Sequence, residues 1–332
     1  MFLLSVLFGA SVLTATADRA TSSALTDLIQ RVTNKHVFAC PYAPHDNVDR
    51  RELHRETRAQ LWSQNGIGDN DAVLLYGGNT EYRGRSDTEN PFFQESNFQY
   101  ITGYSHEGGV ALMEGRSSRE FTTLFVREMS ESPPAETARH LGLDDGDYTR
   151  KLIESLRRLE KRPAGLRQLH VLDKEEVSRR SPEVAREFGR YLVTHTLETA
   201  LFASRTLKTE KEQKLLRLSS QVSALAHNAL NDVLSEVSDQ INENDPLREY
   251  HLQGVFEFLH MRCGVFFQAY PPIVAFGTNA ATMHYVGGTD RVLPRGLLLV
   301  DAGGSRDHCS LYPLFPPPPH PLCYPLPHPP AS

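Results

Sequence analysis

The chain has 332 residues, enough for two cores of ordinary size, with a formal net charge of −6 and 35 Lys and Arg scattered along it. That distribution excludes a nucleic-acid-binding surface, which needs a clustered basic face. Four cysteines, Cys40, Cys263, Cys309 and Cys323, are too few and too dispersed to read as a disulfide framework, so bonds between them are permitted and not required.

Residues 2–17 (FLLSVLFGASVLTATA) form an apolar run ending in small residues, and Ala15-Thr16-Ala17 fits the cleavage pattern of a secretory signal peptide. The run is too short to span a bilayer. The expected location is secreted or within the secretory pathway, with the cytoplasm as the alternative, and no membrane partner is expected. The mature chain would begin at Asp18.

From Asp49, RRELHRETRAQLW reads as a charged helix stopped by Asn65-Gly66, and AVLLY at 72–76 reads as a short buried strand closed by two glycines. Residues 90–104 (NPFFQESNFQYITGY) mix aromatic and polar residues before Gly103 in the manner of a strand-rich core. Residues 109–113 and 121–126 read as further strands separated by a hairpin-like gap. A basic helix is expected over 148–162, a strand over 169–172, and solvated loop at 130–136 and around Asp144-Asp145-Gly146. Strands alternating with helices imply an α/β layer with its sheet covered.

In the second half, Thr209 with Glu212 three residues on makes a capping box. Leu215, Leu218, Val222, Leu225, Ala229 and Val233 then recur at helical spacing, predicting a long core helix. His227 lies near that stripe and reads as a helix-surface or satisfied histidine. Residues 248–260 read as another helix, in which His251 and His260 lack HExxH spacing and so do not support a zincin-type site. Residues 273–275 are a short strand, Gly277-Thr278-Asn279 is turn chemistry, and Met283-His284-Tyr285 opens a second strand or loop. Residues 297–300 are an unbroken apolar run read as a buried strand ending in Asp301. A buried carboxylate there is costly without a partner, and a metal ion is one such partner.

These residues carry a family resemblance. Residues 268–304, with Val300-Asp301-Ala302-Gly303 and with His284-Tyr285 beginning seventeen residues before Asp301, resemble the aminopeptidase P and prolidase family of Xaa-Pro metallopeptidases. Residues 90–104 resemble the F-x-Q-x-S-x-F-x-Y-L-T-G signature of the aminopeptidase P N-terminal domain. The resemblance implies an α/β N-terminal domain of the creatinase/aminopeptidase P type over 18–203, followed at 204–304 by an incomplete α+β pita-bread domain. It also implies that Asp301 is the first ligand of a two-ion, usually manganese, site and that His284 contacts substrate and handles protons. The implied partners are proline-containing peptides, cleaved before proline by an aminopeptidase or dipeptidase, and a second copy of the chain joined through the N-terminal domain.

The family pattern stops after Gly304. In relatives a second Asp in a D-I-T-R motif follows, then a His and two Glu; here the next acid is Asp307 and the last Glu in the chain is Glu257. Manganese is therefore not expected to bind stably, and residues 1–332 are expected to be inactive. The alternative is a non-catalytic binding or dimerisation module that retains the N-terminal domain. Residues 305–332 form a proline-rich tail unlike the family, expected to be extended and solvated because Pro fixes φ and removes donors. Two other readings of the tail are a ligand for SH3- or WW-type domains through residues 316–319, and a zinc cluster of Cys309, His320, Cys323 and His328. The spacing of that cluster matches no structural zinc pattern.

Overall fold

A computed structural model describes residues 24–37, 39–40, 47–116, 119–128, 132–237, 246–290, 292, 296–306, 309–310 and 323–325. The signal peptide expected at 1–17 lies outside these residues, as does most of the proline-rich tail. The first half contains α1 (Ala24–Val37), α2 (Arg50–Trp62), β1 (Asp71–Tyr76), α3 (Ser96–Thr102), β2 (Val110–Arg116), β3 (Arg119–Val126) and α4 (Pro134–Leu141). It continues with β4 (Asp145–Tyr148), α5 (Leu152–Glu160), β5 (Gln168–His170), α6 (Lys174–Arg180), α7 (Pro182–Phe188), β6 (Leu192–Val193) and α8 (His195–Thr206). The second half contains α9 (Glu210–Val237), α10 (Glu249–Arg262), β7 (Phe267–Gln268), β8 (Ile273–Phe276), β9 (Leu297–Asp301), β10 (Gly304–Arg306), β11 (Cys309–Ser310) and β12 (Cys323–Pro325).

The first region is a mixed six-stranded sheet in the order β4-β3-β2-β1-β5-β6, with helices on both faces. All six residues of β1 are buried, because successive side chains point to opposite faces and each face has its own core. Val73 and Leu75 join Phe98, Ile101 and Leu197 on one side, while Ala72 and Leu74 join Leu156, Val177 and Phe188 on the other.

Helix α2 begins where expected, with the Asp49 side chain accepting from the backbone N–H groups of Arg51 and Glu52. The signature segment differs from its strand-like composition. The Glu95 carboxylate caps the N–H groups of Asn97 and Phe98, and Gly103 ends the turn at φ 71, so residues 96–102 form helix α3. Two expected loops also carry structure. Pro134 opens α4, where its missing N–H costs nothing, and residues 145–148 add β4 in parallel to β3.

Helix α1 falls within residues 18–203, yet Leu28 and Val32 enter the core formed by α9, α10, β8 and β9. Its apolar positions require a partner without specifying which. The Cys40–Cys263 disulfide fastens the same junction across a sequence separation of 223. Closing a loop of that size stabilises by about 5 kcal/mol on the chain-entropy account.

Arg58 is the largest charged group in the first region's interior, 2% exposed. It donates to the carbonyls of Ile101 (3.0 Å) and Gly142 (2.8 Å), and its Nε lies 3.7 Å from Glu120. One side chain thus ties the ends of α3 and α4 to α2. Arg58→Ala, which strands Glu120 and two carbonyls, is expected to lower stability by about 3–5 kcal/mol, read as a lower urea midpoint with an unchanged slope.

Candidate functional site

The capping box foreseen at the start of α9 is present. Thr209 N–H donates to Glu212 Oε2 at 2.8 Å and Glu212 N–H to Thr209 Oγ1 at 3.2 Å. From there α9 and α10 run beneath the antiparallel β8–β9 pair, in which Ile273 faces Asp301.

β9 is half-buried rather than buried throughout. Leu298 and Val300 enter the core while Leu297 is 52% exposed, and Asp301 is exposed at the strand's end. The desolvation cost expected of a buried carboxylate is thereby avoided. The Asp301 carboxylate accepts a 2.5 Å hydrogen bond from the Tyr270 hydroxyl.

The chain turns immediately after Asp301, and residues 302–304 are buried. Ala302 carbonyl accepts from His227 Nε2 at 3.1 Å, and Gly303 carbonyl from Ala269 N–H at 2.8 Å. Gly304 N–H donates to Ser223 Oγ at 3.2 Å. The Ser223 hydroxyl lies 3.0 Å from His260 Nε2, and His260 Nδ1 lies 3.1 Å from the Phe256 carbonyl. One assignment satisfies both Ser223 and His260: neutral His260 donates from Nδ1 to the Phe256 carbonyl and accepts the Ser223 hydroxyl's hydrogen bond at Nε2. Glycine is required at 304 because a Cβ would stand 2.5 Å from Val265 and 2.7 Å from the His260 ring.

Burial pushes the His260 imidazole down to about 4, with neighbouring His227 adding to the effect. Burial likewise lowers His227, against the pull of the Ala302 carbonyl and Asp301. His227 thus has a specific task, holding the backbone beside Asp301.

His284 lies on the exposed loop after β8 with φ 54, a left-handed conformation uncommon for a residue with a side chain. That loop is organised by Glu249, which is wholly buried at the first turn of α10. Its carboxylate accepts from Phe276 N–H (2.7 Å), Asn279 Nδ2 (3.1 Å), Tyr285 hydroxyl (2.8 Å) and Asp290 N–H (3.2 Å). Glu249, Ser223 and Tyr270 are not singled out by sequence. An acidic residue in a helix's first turn reads as dipole compensation, and only long-range geometry reveals the four donors. His251 caps its own helix by accepting the Arg248 N–H at 3.1 Å.

Among the described residues, no group of three or more His, Cys, Asp and Glu side chains is placed to hold a metal ion. Of the zinc cluster considered for the tail, His320 and His328 lie outside the described residues. No described helix is long and apolar enough to cross a membrane.

Residues 54–157 match the aminopeptidase P N-terminal domain, and residues 214–311 match metallopeptidase family M24. Relatives include a probable Xaa-Pro aminopeptidase of Chaetomium globosum, 27% identical over 270 residues, covering 78% of this chain and 41% of that protein. Another is Xaa-Pro aminopeptidase 3 of Dictyostelium discoideum, 26% identical over 227 residues, covering 64% and 43%. The chain spans about half the length of the curated relatives it matches. The fold resembles that of Escherichia coli aminopeptidase P with the inhibitor Pro-Leu, at TM-score 0.62 and 21% identity, covering 78% of this chain and 60% of that one. Proline aminopeptidase P II from Yersinia pestis gives TM-score 0.61 at 21% identity, with 77% and 60% covered. Fold and matched segments together place the chain with metallopeptidase family M24, behind an aminopeptidase P N-terminal domain. The chain belongs to the aminopeptidase P and prolidase family.

Two outcomes test the supporting groups. His260 binds a proton less readily folded than unfolded, so its stabilising contribution is complete above the ordinary histidine value and is lost as pH falls from about 6.5 towards 4. Between those limits the loss is about 3 kcal/mol, and His260→Gln is expected to flatten that part of the pH–stability curve. Glu249→Gln replaces one acceptor oxygen with a donor facing donors. It is expected to cost about 2–4 kcal/mol and to raise amide exchange across residues 276–290 while leaving β1 protected.

Proposed function

We propose that this chain is an Xaa-Pro aminopeptidase scaffold that recognises proline-containing peptides, and that residues 1–332 do not themselves hydrolyse them. The donor set carries this reading. The family reaction uses two metal ions, expected to be manganese, with His284 beside the substrate. Two divalent ions bring four positive charges, which several carboxylates must neutralise. Asp301 is the one residue matching a family ligand; only Asp307 follows it among the acids, and no Glu does. A single exposed carboxylate bonded to Tyr270 does not fit a two-ion centre. The hydrogen bonds that hold the turn after Asp301 and the loop carrying His284 favour retained peptide contact over complete loss of the site.

A second reading, a binding or self-association module based on the first region, is supported by that region's own sheet with a core on each face. The apolar run at residues 2–17 and the Cys40–Cys263 bond both favour the secretory pathway, since disulfides persist in oxidising compartments.

The purified chain, with excess Mn²⁺, is to be assayed on a Gly-Pro dipeptide and an Xaa-Pro-Yaa tripeptide beside a His284→Ala, Asp301→Ala control. No metal-dependent turnover above the control is expected, and turnover above it would overturn the inactivity. Sedimentation of the same sample separates the two readings: a dimer favours the second, and a monomer that binds the tripeptide favours the first.

A further inference from the structure

The wall behind the Asp301 turn is covalently attached to the N-terminal helix. Cys263 closes α10, its N–H bonding the carbonyls of Leu259 and His260. Gly264 then reverses the chain at φ 76, and Val265 N–H returns to the His260 carbonyl at 2.9 Å. This three-residue corner grips β10. The Val265 side chain abuts Gly304, and the Gly264 carbonyl accepts from Arg306 Nη1 at 2.7 Å. Cys263 is 2% exposed, packed with Val222 and Val265, and Val222 is next in α9 to the Ser223 that holds Gly304. On the other side of the bond, Cys40 is half-buried and lies three residues beyond the end of α1.

Apart from the disulfide, α1 is held by Leu28 and Val32, with Leu25, Ile29 and Val37 packed beside them, and by charged pairs along one edge of α9: Arg31 with Glu236, and Lys35 and His36 with Asp232. Lys35 and Arg31 are more than half exposed, so these pairs contribute little alone. A 14-residue helix is marginal without tertiary support. Its attachment therefore combines that packing with one covalent bond, whose other end is built into the corner that fixes residues 304–306.

We propose that Cys40–Cys263 is a redox-operated latch, whose reduction loosens α1 and, through the 263–265 corner, frees the backbone turn that carries Asp301. The co-reactant is a dithiol. Its thiolate attacks Sγ of the more accessible Cys40, forming a mixed disulfide and expelling the Cys263 thiolate, which takes up a proton. The dithiol's second thiolate then displaces Cys40, which is protonated in turn. The protein disulfide thus gains two electrons and two protons, and the dithiol leaves as its own disulfide. The inference concerns the ordering of the turn and holds whether or not the peptide-recognition reading does.

The test uses the full chain. Non-reducing peptide mapping is expected to find Cys40 joined to Cys263; free thiols at both, or pairing with Cys309 or Cys323, would overturn the proposal. Amide exchange is then followed with and without dithiothreitol, and in Cys40→Ser without reductant. The expected result is a loss of protection of about tenfold or more over residues 24–37 and 302–306, with 71–76 unchanged. A Cys309→Ser, Cys323→Ser double variant should respond to dithiothreitol as the parent does. Loosening confined to 24–37 would overturn the coupling to the turn. No change, or simultaneous loss of protection over 71–76, would show an inert bond or a general staple, and either would overturn the latch.

Discussion

The second region depends on satisfying the backbone where β9 hands over to β10. A buried N–H or carbonyl without a partner costs about 1–3 kcal/mol, and this turn places several such groups in the interior within three residues. Two helices and the segment after β7 supply the partners, with His227 and Ser223 one turn apart on α9, His260 facing them from α10, and Ala269 alongside. The consequence is mutual. The turn keeps one geometry because the helices hold it, and the helices keep their spacing because the turn fills it. Asp301, exposed at the edge of this arrangement, inherits a fixed position without bearing any of the load.

Much of this architecture was legible in the sequence where a local rule decides the outcome. Asp49 before a charged helix, the Thr209–Glu212 box, the apolar spacing from Leu215 to Val233 and the run at 72–76 all resolve into the elements they suggest. Residues 90–104 misled because aromatic content suits strands and helices alike, and what decides is the Glu95 cap with the left-handed Gly103. The seven-residue helices α6 and α7 carry too few periodic positions to stand out, and the buried stripe of α8, Leu197, Ala200, Leu201 and Ser204, has only two large apolar residues. In the candidate site, Asp301 and His284 are suggested by their resemblance to family motifs, whereas nothing local suggests Glu249 and Ser223. Their roles arise from partners 27 to 81 residues away, a separation that no local pattern encodes.

The interior charges follow one logic. Arg58 and Glu249 are buried against backbone groups where helices and strands end and loops begin. Asp71 does similar work in β1, holding Gly68 N–H at 2.8 Å and pairing with Arg167. Burial alone would raise the Asp71 carboxyl, but Arg167, the Gly68 N–H and His170 outweigh it and hold the group below the usual carboxylate range. Apolar packing positions the sheet and helices, and single charged groups position the loops between them. A loop held in this way can present a polar surface to a ligand and still have a defined shape.

The last described strand bears on how the molecule behaves in a crowded solution. β12 lies antiparallel on the outer side of β9, pairing Cys323 with Leu299 and Pro325 with Leu297. Without that neighbour, β9 would offer a row of unpaired backbone groups beside an exposed leucine, a template on which another chain could polymerise. The covering strand is three residues long and ends in a proline, whose backbone has no N–H to offer. A segment too proline-rich to extend the sheet is well suited to finishing it: the edge is shielded, and growth by strand addition stops there.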